Sequence, residues 1–199
     1  MNKKLILVAA PPACGKTYVS KKIANAVNNM VYLDKDDLSA LVRACFSIGG
    51  KALDMDGDFY KNNIRTAEYK TLMDIALSAL RFNSYVLVNA PFGKEIRDTD
   101  YIKDLKEKAN KEGSLLLLIW VTAPLDVCFE RMKKRNSDRD ALKLKDWDNY
   151  VKKINYNPPY ELEKSGAVDQ FMIFDTSNPQ TQETALDKVL KMILEENNA

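Results

Sequence analysis

The chain of 199 residues contains no histidine, which removes the Ser-His and Cys-His nucleophilic schemes and the commonest ligand of transition-metal sites. A general base in such a chain has to be another residue type, and a carboxylate is the first candidate. Cysteine is scarce: Cys14, Cys45 and Cys128 form no paired motif and no metal-ligand spacing. An odd count without an export signal points to a reduced cytoplasm. Charge of one sign is lacking too, since 30 basic against 28 acidic residues leave a net +2, so nucleic acid is not implied as a partner. No apolar run reaches the roughly 18 residues of a membrane span; the longest, Leu115 to Val121, is the size of a strand. Linkers, repeats and low-complexity tracts are not evident, and residues 1–199 read as one domain with ample core.

What is present begins at Leu5, with LILVAAPPACGKTYVSKKIA. Lys3, Lys4 and the apolar residues Leu5 to Ala10 look like the start of a secretory signal. That run is shorter than the roughly 7 to 15 apolar residues a secretory core needs, and it meets Pro11, Pro12 and a Gly-Lys-Thr that such a peptide does not use. The same stretch fits a phosphate-binding loop, Gly, four residues, then Gly-Lys-Ser/Thr, between a strand and a helix. Ala10 stands where the pattern has its first glycine, and the substitution narrows the backbone options expected there. Leu5 to Val8 suits a buried parallel strand, and Val19, Ile23 and Val27 recur at helical spacing.

The chemistry needs these residue types. Successive backbone N–H groups and a helix N-terminus form a concave, electropositive nest for phosphate oxygens. Pro12, Ala13, Cys14, Gly15, Lys16, Thr17 and Tyr18 are therefore the candidates for nucleotide contact. Gly15 permits close backbone approach, Lys16 reaches the outer phosphates, and the Thr17 hydroxyl ligates Mg²⁺. Cys14, next to a helix N-terminus, is expected to be a reactive thiol of lowered pKa.

The remaining order of elements predicts strands at Val31–Leu33, Tyr85–Val88, Leu115–Val121 and Phe171–Phe174. Helices are expected near 18–27, 38–46, 59–82, 96–110, 125–134, 147–154 and 181–194. The segment IGGKALDMDGD reads as a loop and the charged stretch after Lys134 as irregular. Such alternation implies a parallel sheet covered by helices, with ligands beyond the carboxyl ends of its strands.

Three motifs, ACGKT, LDKDDL and ERMKKR, resemble the small P-loop kinases: shikimate and gluconate kinases, chloramphenicol phosphotransferase, zeta toxins and polynucleotide kinases, a domain also labelled AAA-type. The resemblance implies a three-layer α/β P-loop NTPase fold, with a parallel five-stranded sheet, helices on both faces and a helical lid. The implied activity is transfer of the γ-phosphoryl group of Mg·ATP to a hydroxyl of a small molecule. Asp36 matches the aspartate that acts as general base in that group, although Asp34 or Asp36 equally suits a helix N-cap. ERMKKRNSDRD resembles the mobile lid, over residues 131–150, whose arginines bridge phosphates during transfer; the matches are Arg131, Arg135 and Arg139. The bland alternative is a solvated basic face, nine lysines or arginines against four aspartates between Arg131 and Lys153.

Where many P-loop proteins place a magnesium-side carboxylate after the third strand, this chain has Asn89. That leaves the ion to Thr17, the phosphates and water, with Asp36 as a further candidate. Phe92 and Arg97 are candidates to face the substrate, Phe92 equally a core residue. FDTSNP resembles the adenine-edge loop, with Thr176 and Asn178 as contacts, although short polar turns also cap helices. Residues 38–58 occupy the specificity segment of the group, and nothing in them names an acceptor. A polynucleotide 5′-kinase is disfavoured because its usual RDDYR is replaced by KDDLS, with Ser39 at the arginine position. A nucleotide-binding switch without a second substrate is the alternative of a different class.

Overall fold

The computed structural model describes residues 3–195. Five strands, β1 (Lys3–Ala9), β2 (Met30–Asp34), β3 (Tyr85–Asn89), β4 (Ser114–Thr122) and β5 (Gln170–Asp175), form one sheet of order β2-β3-β1-β4-β5. Every neighbouring pair is parallel. The near-continuous apolar character of β1 and β4 follows from their central positions, where both faces must be buried.

Alternate residues feed two cores. Leu5, Leu7, Val86, Val88, Leu116 and Leu118 pack against α4 (Arg65–Leu80), α5 (Thr99–Lys111) and α9 (Tyr160–Lys164). Ile6, Val8, Leu87, Leu117, Ile119 and Val121 pack against α1 (Lys16–Ala26), α6 (Leu125–Arg135) and α10 (Pro179–Leu194). The result is the three-layer arrangement, and truncating one central leucine to alanine would cost about 2–5 kcal/mol. Among the described residues no helix is long and apolar enough to cross a membrane.

The carboxyl ends of the strands carry the irregular pieces. A 3₁₀ turn, Lys35–Leu38, follows β2 and leads into α2 (Ser39–Ile48). The expected loop then runs to α3 (Asp58–Asn63). The single long helix expected over 59–82 is two helices, broken at Ile64, whose φ of −116° lies outside the helical range. Apolar periodicity passes through the break unaltered, because Tyr60 on α3 and Tyr69 on α4 are both buried. Pairing with Glu68 across the break orients Tyr60.

The stretch after Lys134, expected to be irregular up to Trp147, contains α7 (Asp138–Lys145), and it is followed by α8 (Trp147–Lys152) where a helix is expected over 147–154. Its first helix is tied by a buried Asp140 carboxylate to Arg135 rather than by an apolar stripe, which is why no period announces it. Trp147 anchors the second against Phe129 of α6, ring centroids 5.2 Å apart. α9 was likewise unannounced; five residues are too few for a periodicity, yet Leu162 is wholly buried.

Candidate functional site

The segment between β1 and α1 wraps as a loop whose left-handed residues are Ala13 (φ 64°) and Gly15 (φ 93°). Gly15 is the N-cap of α1, and a Cβ there would meet Thr176 at 3.4 Å in a conformation that side chains resist. Ala10, by contrast, has no positive φ, and its methyl sits in the core. The missing first glycine therefore imposes no backbone strain on this loop.

Polar bonds hold the underside of the loop. Thr176, just beyond β5, is 2% exposed; its hydroxyl donates to Cys14 O (2.7 Å) and accepts from Arg131 Nη1 (2.7 Å). Arg131 adds bonds to Thr176 O (2.7 Å) and Ala13 O (3.4 Å). These two residues were expected to touch nucleotide, one at the phosphates and one at the adenine edge. The structure instead places both beneath the loop, where they fix its curvature.

Cys14 departs from expectation most clearly. Its thiol is 1% exposed and lies 3.6 Å from Cys128 Sγ on α6. The hydrogen bond with Cys128, reinforced by burial, pushes the Cys14 thiol far above the ordinary range. A helix N-terminus lowers a thiol pKa only where the thiolate is solvated or paired with a cation. Here the neutral partner and the desolvation win, and Cys14 is a core residue.

On the open side, Lys16 is half-buried and Thr17 and Tyr18 are exposed. The Lys16 ammonium donates to Asn89 Oδ1 at 2.6 Å. Asn89 ends β3 with no exposure at all, and its Nδ2 donates to Asp34 Oδ2 (2.6 Å), Tyr32 Oη (3.1 Å) and Thr17 Oγ1 (3.3 Å). Asp34, which ends β2, also accepts from Tyr32 Oη (2.8 Å) and from the Asp36 N–H (3.0 Å). Burial opposes ionisation of Asp34, but the Asp36 amide, Tyr32, Asn89 and the Lys16 charge outweigh it and hold its carboxyl below the ordinary value. Sequence reasoning had Asp34 only as a cap. Its position at the last residue of a strand, facing a loop lysine, is a relation between strands that no local spacing reveals.

Asp36 and Asp37 are exposed on the 3₁₀ turn. The capping role falls to Asp34, and the Asp36 carboxylate makes no hydrogen bond or ion pair among the described residues. The turn is anchored by Lys35 between them, 8% exposed, which pairs with Glu68 at 2.8 Å. Tyr60 donates to the other Glu68 oxygen. Beside this pair, Arg65 grips Glu95 with two bonds of 2.6 and 2.9 Å and lies over the Tyr69 ring.

The other expected site residues lie apart. Phe92 is completely buried, the core alternative. Arg97 is bonded to Glu161 and to the Asn157 carbonyl oxygen, so it clamps α9. Asn178 caps α10 by accepting from the Gln180 N–H, the capping alternative. Arg135 is engaged by Asp140, and the Arg139 side chain lies outside the described residues.

A family profile described as AAA domain matches residues 5–155. No curated protein matches. Among solved structures, a protein from Chloroflexus aurantiacus described as a kinase superposes with a TM-score of 0.66 at 19% identity, over 98% of this chain and 100% of that one. The APS kinase CysC of Mycobacterium tuberculosis, solved with AMPPNP and APS, gives 0.58 at 16% identity, over 98% and 99%. The shikimate kinase of Bacteroides thetaiotaomicron gives 0.54 at 14% identity, over 97% and 99%. The expected fold is that of these structures, and the AAA-type domain expected with it is the family matched.

Proposed function

The chain belongs to the AAA domain family, and from that premise we propose that it is an ATP-dependent phosphotransferase that moves the γ-phosphoryl group to a hydroxyl of a small molecule. One observation carries the reading: the loop lysine, the loop threonine and a strand-end carboxylate converge on Asn89 at the carboxyl edge of the sheet. That edge is where ligands of parallel α/β sheets bind.

The loop from Pro12 to Tyr18 receives the phosphates of ATP in its backbone N–H groups at the start of α1, with Lys16 transferring its ammonium from Asn89 to the phosphate oxygens. Mg²⁺ fits the residues present. Thr17 offers a solvent-exposed hydroxyl, and the Asp34 carboxylate shares with it the same Asn89 donor. Mg²⁺ in such sites takes one or two protein ligands and keeps phosphate and water for the rest. When bound, Mg²⁺ neutralises charge developing on the phosphates.

Asp36 is the base in this reading. It is exposed, its carboxylate has no structural bond to break among the described residues, and it sits two residues beyond the β2 end that carries Asp34. Accepting the proton of the acceptor hydroxyl as the phosphoryl group moves is a carboxylate's role in phosphoryl transfer. Arg135 is the lid arginine. It exchanges Asp140 for phosphate oxygens when residues 131–150 close over ATP. Residues 38–58 line the acceptor side, and APS, held by a similar protein, illustrates the size of acceptor.

The test is ADP release from Mg·ATP with and without pools of hydroxyl-bearing metabolites, deconvoluted to single compounds. Release that depends on a metabolite, with a phosphorylated product of matching mass, supports the transferase. ATP binding without metabolite-dependent release would make the chain a nucleotide switch instead.

A further inference from the structure

The amide of Asn89 is saturated from both ends. Oδ1 has two lone pairs and accepts from Lys16 Nζ (2.6 Å) and Ser20 Oγ (3.0 Å). Nδ2 has two hydrogens, which three acceptors share: Asp34 Oδ2 (2.6 Å) and the hydroxyls of Tyr32 (3.1 Å) and Thr17 (3.3 Å). Chemistry fixes which end is which, because an ammonium can only donate and an ionised carboxylate can only accept. The side chain is wholly enclosed, so a mismatched group at this position has no water to turn to.

An aspartate, isosteric with Asn89, has no hydrogen to give when ionised. Its second oxygen would face Asp34 Oδ2 at the distance of the present bond, and its charge would hold Lys16 by a charge-assisted ion pair. A neutral amide avoids both consequences. It sets no carboxylate charge against Lys16 at this position, so no ion pair with residue 89 has to be broken when the ammonium turns to a phosphate. It also turns the Asp34 carboxylate toward the loop by donating to it.

We infer that Asn89 is a positioning residue of the nucleotide site: its neutral amide bonds Lys16 without setting a carboxylate charge against it at this position, and it orients the Asp34 carboxylate and the Thr17 hydroxyl of the loop by donating to both, so that the site's acid comes from the end of β2 instead of β3. The inference rests on the nucleotide-binding reading of the loop. It assigns to the amide a function that an acid could not perform, and Asn89 ceases to look like a lost carboxylate.

The experiment measures ATP binding calorimetrically in excess chelator, so that no divalent ion contributes, together with thermal melting of the same samples. Asn89→Asp is expected to weaken metal-free ATP binding at least about tenfold, since Lys16 is held by a full charge. Melting is expected to fall as well, because two carboxylates meet in a buried contact. The double variant Asp34→Asn with Asn89→Asp transposes the amide and the acid across that contact. It should recover the melting temperature of the single variant's loss while binding ATP as weakly as the single variant, because the charged partner of Lys16 is still at position 89. Affinity in Asn89→Asp within about twofold of wild type would overturn the inference, and so would a double variant that regains melting temperature and affinity together, which would make Asn89 a structural residue only. Wild-type protein that fails to bind ATP would bring down the nucleotide reading itself, an outcome visible before any variant is compared.

Discussion

The two halves of the sheet's carboxyl edge are built by different means. Around the phosphate loop, the fixing contacts are hydrogen bonds in which at least one partner is neutral: Thr176 to the Cys14 carbonyl, Arg131 to backbone oxygens, Asn89 to five neighbours. Around the turn after β2, they are buried ion pairs, Lys35 with Glu68 and Arg65 with Glu95, stacked on tyrosine rings. The first half holds the loop proposed to receive the phosphates at the start of α1. The second half hides its charges and leaves Asp36, Asp37 and the 49–57 loop facing solvent. The difference teaches where specificity can reside: hydrogen bonds hold the proposed phosphate side, whereas the ion pairs stabilise a platform beneath loops that face solvent.

Breaking the phosphate half should have the largest effect. Lys16→Ala is expected to abolish ATP-dependent turnover while thermal melting barely moves, since a half-buried ammonium at an open loop contributes little to the core. Turnover assays and melting curves on the same preparation check it, and wild-type affinity and turnover in the variant would erase the contrast between the halves.

On the acceptor half, Asp36→Asn should slow transfer by about 10² to 10⁴ with ATP affinity and melting unchanged. The structure sharpens this expectation, because the cap of the turn is Asp34 and amide for acid at Asp36 removes no structural bond. Unaltered transfer rates in the variant would move the base elsewhere on the turn. Glu68→Gln addresses the platform rather than the chemistry. It leaves the Lys35 ammonium, with its side chain 10% exposed, without its charged partner, and removing one member of a buried pair costs roughly 3–5 kcal/mol. Denaturant unfolding should report that loss while metal-free ATP affinity stays within about twofold, a change well under 1 kcal/mol. Equal loss of ATP affinity would show that the two halves are coupled.

The smallest effect concerns the thiols. Alkylation of the native protein should label the exposed Cys45 and spare Cys14 and Cys128 with or without Mg·ATP, because both are enclosed. Peptide mass spectrometry distinguishes the three, and rapid native labelling of Cys14 would place the loop in a more open state than the one described.

Much of this organisation was legible locally. β1, the loop and α1 announce themselves through an apolar run, Gly-Lys-Thr and helical spacing, all of which operate within about 20 residues. All five strands were readable, β1 and β4 because central parallel strands are apolar on both faces. The break at Ile64 and the helices α7 and α9 were not, since they depend on Tyr60 meeting Glu68, Arg135 meeting Asp140 and Leu162 meeting the distant sheet.

For the site, the chain order determined that Lys16 and Thr17 open a helix after a buried strand, and that acids follow the second strand. Only the folded arrangement decided how those groups are used. Strand order β2-β3-β1 sets Asp34 opposite Asn89, and Asn89 opposite Val8 at the end of β1, in register. This turns residues more than 50 positions apart into hydrogen-bond partners. The same packing sent Cys14 inward to Cys128 and Arg131 beneath the loop, reversing what their neighbours in sequence suggested. The physical reason is common to all of them: local spacing fixes periodicity and capping, whereas pKa, burial and the partner of a polar side chain are set by whatever the sheet brings alongside.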